Sequence, residues 1–313
     1  MPYFVPGHMA TILITGASGL IGRALAAFLS QQGHVIHRLG RCGDGPADPL
    51  TFHWDIIQGT IDERCLHGVT HVVHLAGAGI ADARWKAARV QELIDSRAAS
   101  SRLLLHAVRR TGTPVRTIVS AAGINYYGAR TTDHLFAETD EAGKDTIARI
   151  SVAWEQAVDE WGATARVVKL RTPVVLACTG GALGKLAYPV RWGLGAVLGH
   201  GRQWMPWVHI DDLVSAYAAA LFNEDWVGAY NVNTGNDVSN ARFMRTIARV
   251  LHRPFLLPNV PGFALRIALG EMSTILLEGF RADNRRLLST GFRFRHPELE
   301  PALRNLLRYT ISH

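Results

Sequence analysis

The residues with the clearest chemical purpose are glycines. Gly16-Ala17-Ser18-Gly19-Leu20-Ile21-Gly22 directly follows the β-branched run Thr11-Ile12-Leu13-Ile14-Thr15. A glycine-spaced turn after a short strand is suited to bringing a phosphate against backbone. Gly16 permits the tight turn. Gly19 removes a side chain where a pyrophosphate would approach amide N–H groups, and Gly22 lets the following helix pack against the sheet. Ser18, Leu20 and Ile21 complete the turn and open a helix whose unpaired N–H groups and dipole favour an anion. The next run, Val35-Ile36-His37-Arg38-Leu39, ends in Gly40-Arg41 with no acid. A carboxylate there would repel a 2′-phosphate; a glycine makes room and an arginine can pair with it. The expected cofactor is NADP(H), held by Arg41, with Arg38 as a further candidate. The plain alternative for Arg41 is an ordinary surface-loop residue.

These residues need a strand–helix–strand unit, and the sequence supplies one. Leu20, Ile21, Ala24, Leu25, Phe28 and Leu29 recur at helical spacing, and Gly33-His34 stops that helix. Further strands are predicted at 70–77, 115–120 and 165–170, with helices near 83–110 and 151–161. This alternation predicts an α/β fold, a Rossmann-type doubly wound parallel sheet. A smaller, mostly helical substrate-side domain is expected at the C-terminal end. The expected division is 10–180 with 205–235 for the cofactor domain, and 181–204 with 236–313 for the smaller one. Ligands in such sheets sit beyond the carboxyl ends of the strands. The glycine turn, Leu75-Ala76-Gly77 and the segment from Ser120 to Tyr127 all fall there. The glycines at 180, 181, 184, 193, 195, 199 and 201 read as a loop-rich excursion. Pro254, Pro258 and Pro261 break the chain before a helical tail.

Composition narrows the function classes. The chain has 313 residues, 48% hydrophobic and 19% charged, which is ordinary globular usage. No apolar stretch is long enough to span a bilayer, and no secretory leader is evident. Residues 1–8 read as a remnant or an alternative start. Cys42, Cys65 and Cys178 are odd in number and far apart, which points to a reducing cytoplasm. The net charge of +7 comes from scattered arginines without basic runs, so nucleic acid is not an expected partner. The expected partner is a small molecule, and the protein is expected to be a monomer or homodimer. His71 and His74 lie three apart on a strand and face opposite ways, no zinc motif occurs, and no metal is expected. Gly180-Gly181-Ala182-Leu183-Gly184-Lys185 is one residue short of a P-loop.

The glycine turn, Leu75-Ala76-Gly77 and Tyr126-Tyr127-Gly128 together resemble the extended short-chain dehydrogenase/reductases. So do Leu170-Arg171-Thr172-Pro173-Val174-Val175-Leu176 and Trp207-Val208-His209-Ile210-Asp211-Asp212-Leu213. More narrowly, the chain resembles the atypical "epimerase family protein" branch with a C-terminal domain of unknown function. Ile80-Ala81-Asp82-Ala83-Arg84-Trp85, Ser96-Arg97, Arg202-Gln203, Gly270-Glu271 and Gly291-Phe292-Arg293-Phe294 carry that likeness, which runs from about Thr11 to Leu307. The resemblance implies NADP(H) binding and an unknown substrate. It implies that Leu75, Ala76 and Gly77 pass beside the cofactor, that Glu92 and Arg97 lie over its adenosine half, and that Val174 lies near the nicotinamide. For Glu92 a solvated helix face is an equal alternative.

The resemblance fails at the proton chemistry. Ordinary members pair tyrosine and lysine one helical turn apart, the lysine lowering the phenol pKa. No Tyr-x-x-x-Lys occurs in this chain. With Glu155 as the glutamate that follows the lysine, Ser151 takes the lysine position and Ile147 the tyrosine position. Ala121-Ala122-Gly123 occupies the loop of the helper serine. Ser120 is either a partial substitute or the strand's last polar residue, a candidate for both catalysis and cofactor binding. Met205 stands where nucleotide-sugar members carry a diphosphate-binding arginine. Tyr126 and Tyr127 are the remaining candidate proton donors, with aromatic packing as the alternative. Lys185, Arg202 and Trp207 are expected to line the substrate side, and His209 reads as a buried hydrogen-bonding residue. Two functions stay open: an NADP(H)-dependent oxidoreductase or epimerase-like enzyme, and a catalytically silent NADP(H)-binding sensor.

Overall fold

The computed structural model describes residues 9–42 and 48–308. Segment 1–8, expected to stand apart from the fold, lies outside the described residues. Strand β1 (Thr11–Thr15) leads into helix α1 (Leu20–Gln31), β2 (Val35–Gly40), β3 (Thr51–Asp55) and β4 (Thr60–Ile61). Next come β5 (Val69–His74), α2 (Ala87–Thr111), β6 (Thr117–Gly123), β7 (Leu135–Phe136), α3 (Thr146–Asp159) and β8 (Arg166–Thr172). Then follow β9 (Val174–Leu176), α4 (Gly181–Arg191), β10 (Trp207–His209), α5 (Ile210–Phe222) and β11 (Gly228–Asn231). The chain ends with α6 (Asn240–Val250), α7 (Gly262–Leu269), α8 (Thr274–Leu277), β12 (Arg281–Ala282), α9 (Arg285–Ser289) and α10 (Leu299–Arg308).

The main sheet has eight strands in the order β11-β8-β6-β5-β1-β2-β3-β4, parallel except for β3 against β4. The chain winds outward from β1 to β3, then returns to β5 on the other side and winds outward again. The reversal opens a crevice beyond the ends of β1 and β5, the place where such sheets bind ligands. Alternation along β1 explains the layers. Ile12 and Ile14 pack with Leu25 and Leu29 of α1 and Leu213 of α5. Leu13 faces the other way, against Leu104 and Val108 of α2. All five of these strand and helix residues on the α1 side are fully buried. Two small parallel pairs, β9 with β10 and β7 with β12, lie outside the main sheet.

Several boundaries differ from the sequence reading. Helix α2 begins at Ala87 rather than near 83, because Trp85 Nε1 donates to the Ile80 carbonyl at 2.9 Å and folds the preceding residues into a turn. Helix α3 begins at Thr146 rather than 151, since the Asp145 carboxylate caps it by accepting from the Ala148 N–H at 2.9 Å. The glycine-rich excursion is helical from Gly181 to Arg191. Leu183, Ala187 and Val190 form a buried stripe there that outweighs the glycines. Among the described residues, no helix is long and apolar enough to cross a membrane.

Candidate functional site

The glycine turn sits at the crevice. Gly16 has φ +67°, and a Cβ there would lie 2.9 Å from the Leu75 carbonyl carbon and 3.0 Å from Ala76 N. The ends of β1 and β5 thus approach too closely for any side chain. A Cβ on Gly22 would lie 2.4 Å from Gly16 O, so the contact that requires this glycine is with the turn's own backbone and not with the sheet. Ser18 and Gly19 are exposed, while Leu20 and Ile21 pack on the core. Gly19 caps α1 without any side-chain acceptor, and the helix has no acid in its first turn. A helix end of this kind, with unpaired N–H groups and no carboxylate, favours an anion. The residues therefore fit a pyrophosphate. Arg23 Nη1 donates to Ser18 O at 2.5 Å and brings a cation to this turn. The sequence reading missed Arg23, although its place one helical turn beyond Gly19 was the available signal.

A directed hydrogen-bond chain fixes the neighbouring segment. The Leu75 and Ala76 N–H groups both donate to Thr15 Oγ1 at 3.1 Å. Thr15 Oγ1 lies 3.0 Å from His74 Nδ1, and His74 Nε2 lies 3.2 Å from Ser100 Oγ. Ser100 Oγ donates in turn to Ser96 O at 2.7 Å. The chain is satisfied in full when Thr15 donates to Nδ1 and His74 donates from Nε2, which requires a neutral imidazole. Burial supplies that condition by pushing the His74 pKa down to about 4. Arg97 is buried as well. It donates to Leu93 O and Ala78 O at 2.9 Å, packs under Gly77 and stacks on Trp154. Burial lowers its pKa to about 10. Arg97 therefore shapes the segment after β5 from beneath rather than presenting a free guanidinium.

The other charged candidates are on the rim. Arg41 is exposed just beyond β2, and His53 Nδ1 lies 3.2 Å from its carbonyl oxygen. Arg38 is paired with Asp48 at 2.8 Å, so a carboxylate already holds the second expected cation. Glu92 is an exposed helix-face residue paired with Arg89 at 2.7 Å, one turn away.

Beyond the ends of β6 and β8 lies a cavity of about 280 Å³. Gly123, Asn125, Pro173, Val174, Gln203, Trp204, Met205 and Glu278 are among the residues that line it. Ile147 lines it, at the tyrosine position of the dyad, and is 1% exposed. Ser151, at the lysine position, is buried and donates to Ile147 O at 3.1 Å.

The three candidate catalytic residues are not on its wall. Ser120 is fully buried in β6 and bonded to Ala121 O at 2.9 Å. Tyr127 is fully buried; its hydroxyl accepts from Arg171 Nη1 at 2.8 Å and donates to Asn231 Oδ1 at 2.9 Å. Burial pushes its pKa up to about 12 against the opposing charge of Arg171. Tyr126 is half-buried, its ring covered by the Arg171 guanidinium at 3.6 Å. Arg171 is itself held by Glu155 through Nε at 2.7 Å and Nη2 at 3.1 Å. The two tyrosines thus belong to a packing cluster.

The three expected substrate residues also miss the cavity, two of them by one position. Lys185 and Arg202 are exposed, while their neighbours Leu186 and Gln203 line it. Trp207 is fully buried, with Nε1 donating to Asn236 O at 3.3 Å, and Trp204 lines the cavity instead. Glu278 comes from the C-terminal end, where no sequence motif marked it. His209 is buried and caps α5, accepting from Asp211 N at 3.1 Å, with Nε2 3.2 Å from Asn305 Oδ1. Among the described residues, His209, Asp211 and His296 are close enough to share a cation, but both His209 nitrogens already have partners.

Comparisons with known proteins show the family and the fold. Residues 12–233 match the model of the NAD dependent epimerase/dehydratase family, and residues 260–306 match a domain of unknown function. An epimerase family protein of Mycobacterium bovis is 38% identical over 296 residues, covering 94% of this chain and 96% of that protein. The crystal structure of human epimerase family protein SDR39U1 with NADPH superimposes with a TM-score of 0.85 at 30% identity, covering 95% of this chain and 99% of that one. A nucleoside-diphosphate sugar epimerase from Corynebacterium glutamicum gives a TM-score of 0.78 at 27% identity, covering 96% of this chain and 59% of that one.

Proposed function

The chain belongs to the NAD dependent epimerase/dehydratase family, and on that premise we propose that it is an NADP(H)-dependent oxidoreductase or epimerase-like enzyme acting on a free small molecule. One observation carries the cofactor half of this reading: a cradle that only glycine can form at Gly16, followed at the next strand end by Gly40-Arg41 with no carboxylate. The human relative crystallised with NADPH supports the same choice. Gly16, Gly19 and the first turn of α1 would hold the pyrophosphate, Arg41 the 2′-phosphate, and Val174 would border the nicotinamide. When bound, the dinucleotide supplies hydride transfer. The chain's own residues orient it and exclude water: Leu75 and Ala76 are pinned by Thr15, and Ile147, Val174 and Met205 give the cavity an apolar wall. We assign 10–180 with 205–235 to the cofactor side and 181–204 with 236–313 to the substrate side. We also read the protein as a cytoplasmic monomer or homodimer, and the three free cysteines suit a reducing compartment.

A second reading, a catalytically silent NADP(H) sensor, is favoured by Ile147 at the tyrosine position. The test is a screen across carbonyl, enone and sugar substrates that follows both the absorbance of reduced nicotinamide and, by NMR, the formation of an epimerised product, because epimerisation returns the hydride and leaves the absorbance unchanged. Reproducible turnover with one class supports the enzyme. Tight NADPH binding with no turnover across the panel supports the sensor.

A further inference from the structure

The cavity beyond β6 and β8 has an unusual electrostatic character. Among the described residues that line it, none is lysine, arginine or histidine, and Glu278 is the only one with an ionisable side chain. Its volume of about 280 Å³ is near the lower end of small-molecule pockets, about 300 Å³. A diphosphate placed here would lose its hydration, find no cation and face a carboxylate, and an unpaired charge in such surroundings is strongly disfavoured. Ile147, Val174, Leu186 and Met205 give much of the wall an apolar surface. Its other polar groups are uncharged: the amides of Asn125, Gln203 and Asn240, the hydroxyls of Thr172 and Thr274, and the Trp204 indole. Gln203 is 1% exposed, and Nε2 donates to Leu198 O at 2.9 Å and Leu276 O at 2.8 Å. Those two bonds fix the amide orientation, and Oε1 is left without a partner among the described residues. Asn125 and Asn240 contribute two more primary amides to the wall, and Asn240 Oδ1 accepts from Leu198 N at 2.9 Å.

We propose that this cavity binds an uncharged, predominantly apolar small molecule carrying a carbonyl or hydroxyl group, and that it rejects anions, nucleotide sugars included. This deepens the proposed function and rests on its placement of the nicotinamide beside Val174.

The test uses the full chain saturated with NADPH and saturation-transfer NMR. Acetophenone, 1-phenylethanol and cyclohexanone are the neutral probes; phenylglyoxylate, which adds one carboxylate to the same aromatic ketone, and UDP-glucose are the anionic ones. Signal from the neutral probes, with anions at least about tenfold weaker, is expected. Met205→Arg should weaken neutral probes and admit phenylglyoxylate, and circular dichroism with a parental urea midpoint shows that the variant folds. If that variant does not fold, Leu186→Lys replaces it. Phenylglyoxylate or UDP-glucose binding as well as acetophenone overturns the proposal, as does silence from every neutral probe. Failure of NADPH to bind counts against the cofactor reading alone; the same order of probes is then expected of the protein without nucleotide.

Discussion

Arg171 Nη1 donates to the Tyr127 hydroxyl across 2.8 Å inside the fold, and that hydroxyl passes its own proton to Asn231 Oδ1 at 2.9 Å. The phenol's only proton is thus already committed within the fold. Tyr127→Phe should leave NADPH affinity and any turnover unchanged and destabilise the protein by about 1–3 kcal/mol, since two buried partners lose their bond. Urea unfolding measures this. A large loss of rate without loss of stability would return Tyr127 to the chemistry.

The Glu155–Arg171 pair is the stronger element of that cluster. Their side chains are 5% and 3% exposed. Glu155→Gln strands a buried guanidinium and should cost about 3–5 kcal/mol. An effect below about 1 kcal/mol, the value of a surface pair, would mean that water reaches the site.

The glycines allow a paired comparison. Gly16 and Gly33 both have positive φ, +67° and +87°. A Cβ on Gly16 strikes the Leu75 backbone, whereas Gly33 has open space around it. Gly33→Ala should cost about 1–2 kcal/mol through strain alone and leave the cofactor site untouched. Gly16→Ala should cost more and also weaken NADPH binding at least about tenfold. Calorimetry on both variants checks this; equal effects on binding would separate Gly16 from the cradle.

Acid should destabilise the fold through two imidazoles. Burial pushes His71 and His74 down to about 4 from an ordinary 6.5. Between those values the unfolded chain binds more protons than the folded one, so stability is fully present above pH 6.5 and falls as pH drops toward 4. Each histidine contributes about 3 kcal/mol over the whole window. The check is the urea midpoint across that window; a flat profile would mean that the two rings are accessible to protons in the fold.

Much of the cofactor half was legible in sequence, because its constraints are local. A β-branched run, three spaced glycines and an amphipathic helix define β1, the turn and α1 within one short segment. The substrate half was not legible in the same way. Its wall is assembled from β6, β8, α3, α4 and the C-terminal segment, and a slip of one residue moves a side chain off the cavity. Hence Lys185 and Arg202 were named where Leu186 and Gln203 line the wall, and the charged residues drew attention that belonged to their neutral neighbours. Tyr127 misled for a related reason. A tyrosine at a strand end reads alike whether it faces a ligand or a buried arginine, and only the distant Arg171 and Asn231 decide. Helix α4 was hidden by its glycines, although Leu183, Ala187 and Val190 already had helical spacing.

The most direct test of the account is titration calorimetry of the purified chain with NADPH and with NADH, repeated on Arg41→Ala. NADPH should bind at least about tenfold tighter than NADH in the parent protein, and that preference should collapse in the variant while NADH affinity stays the same. Equal affinity for the two nucleotides, or an Arg41→Ala protein that still prefers NADPH, would contradict it.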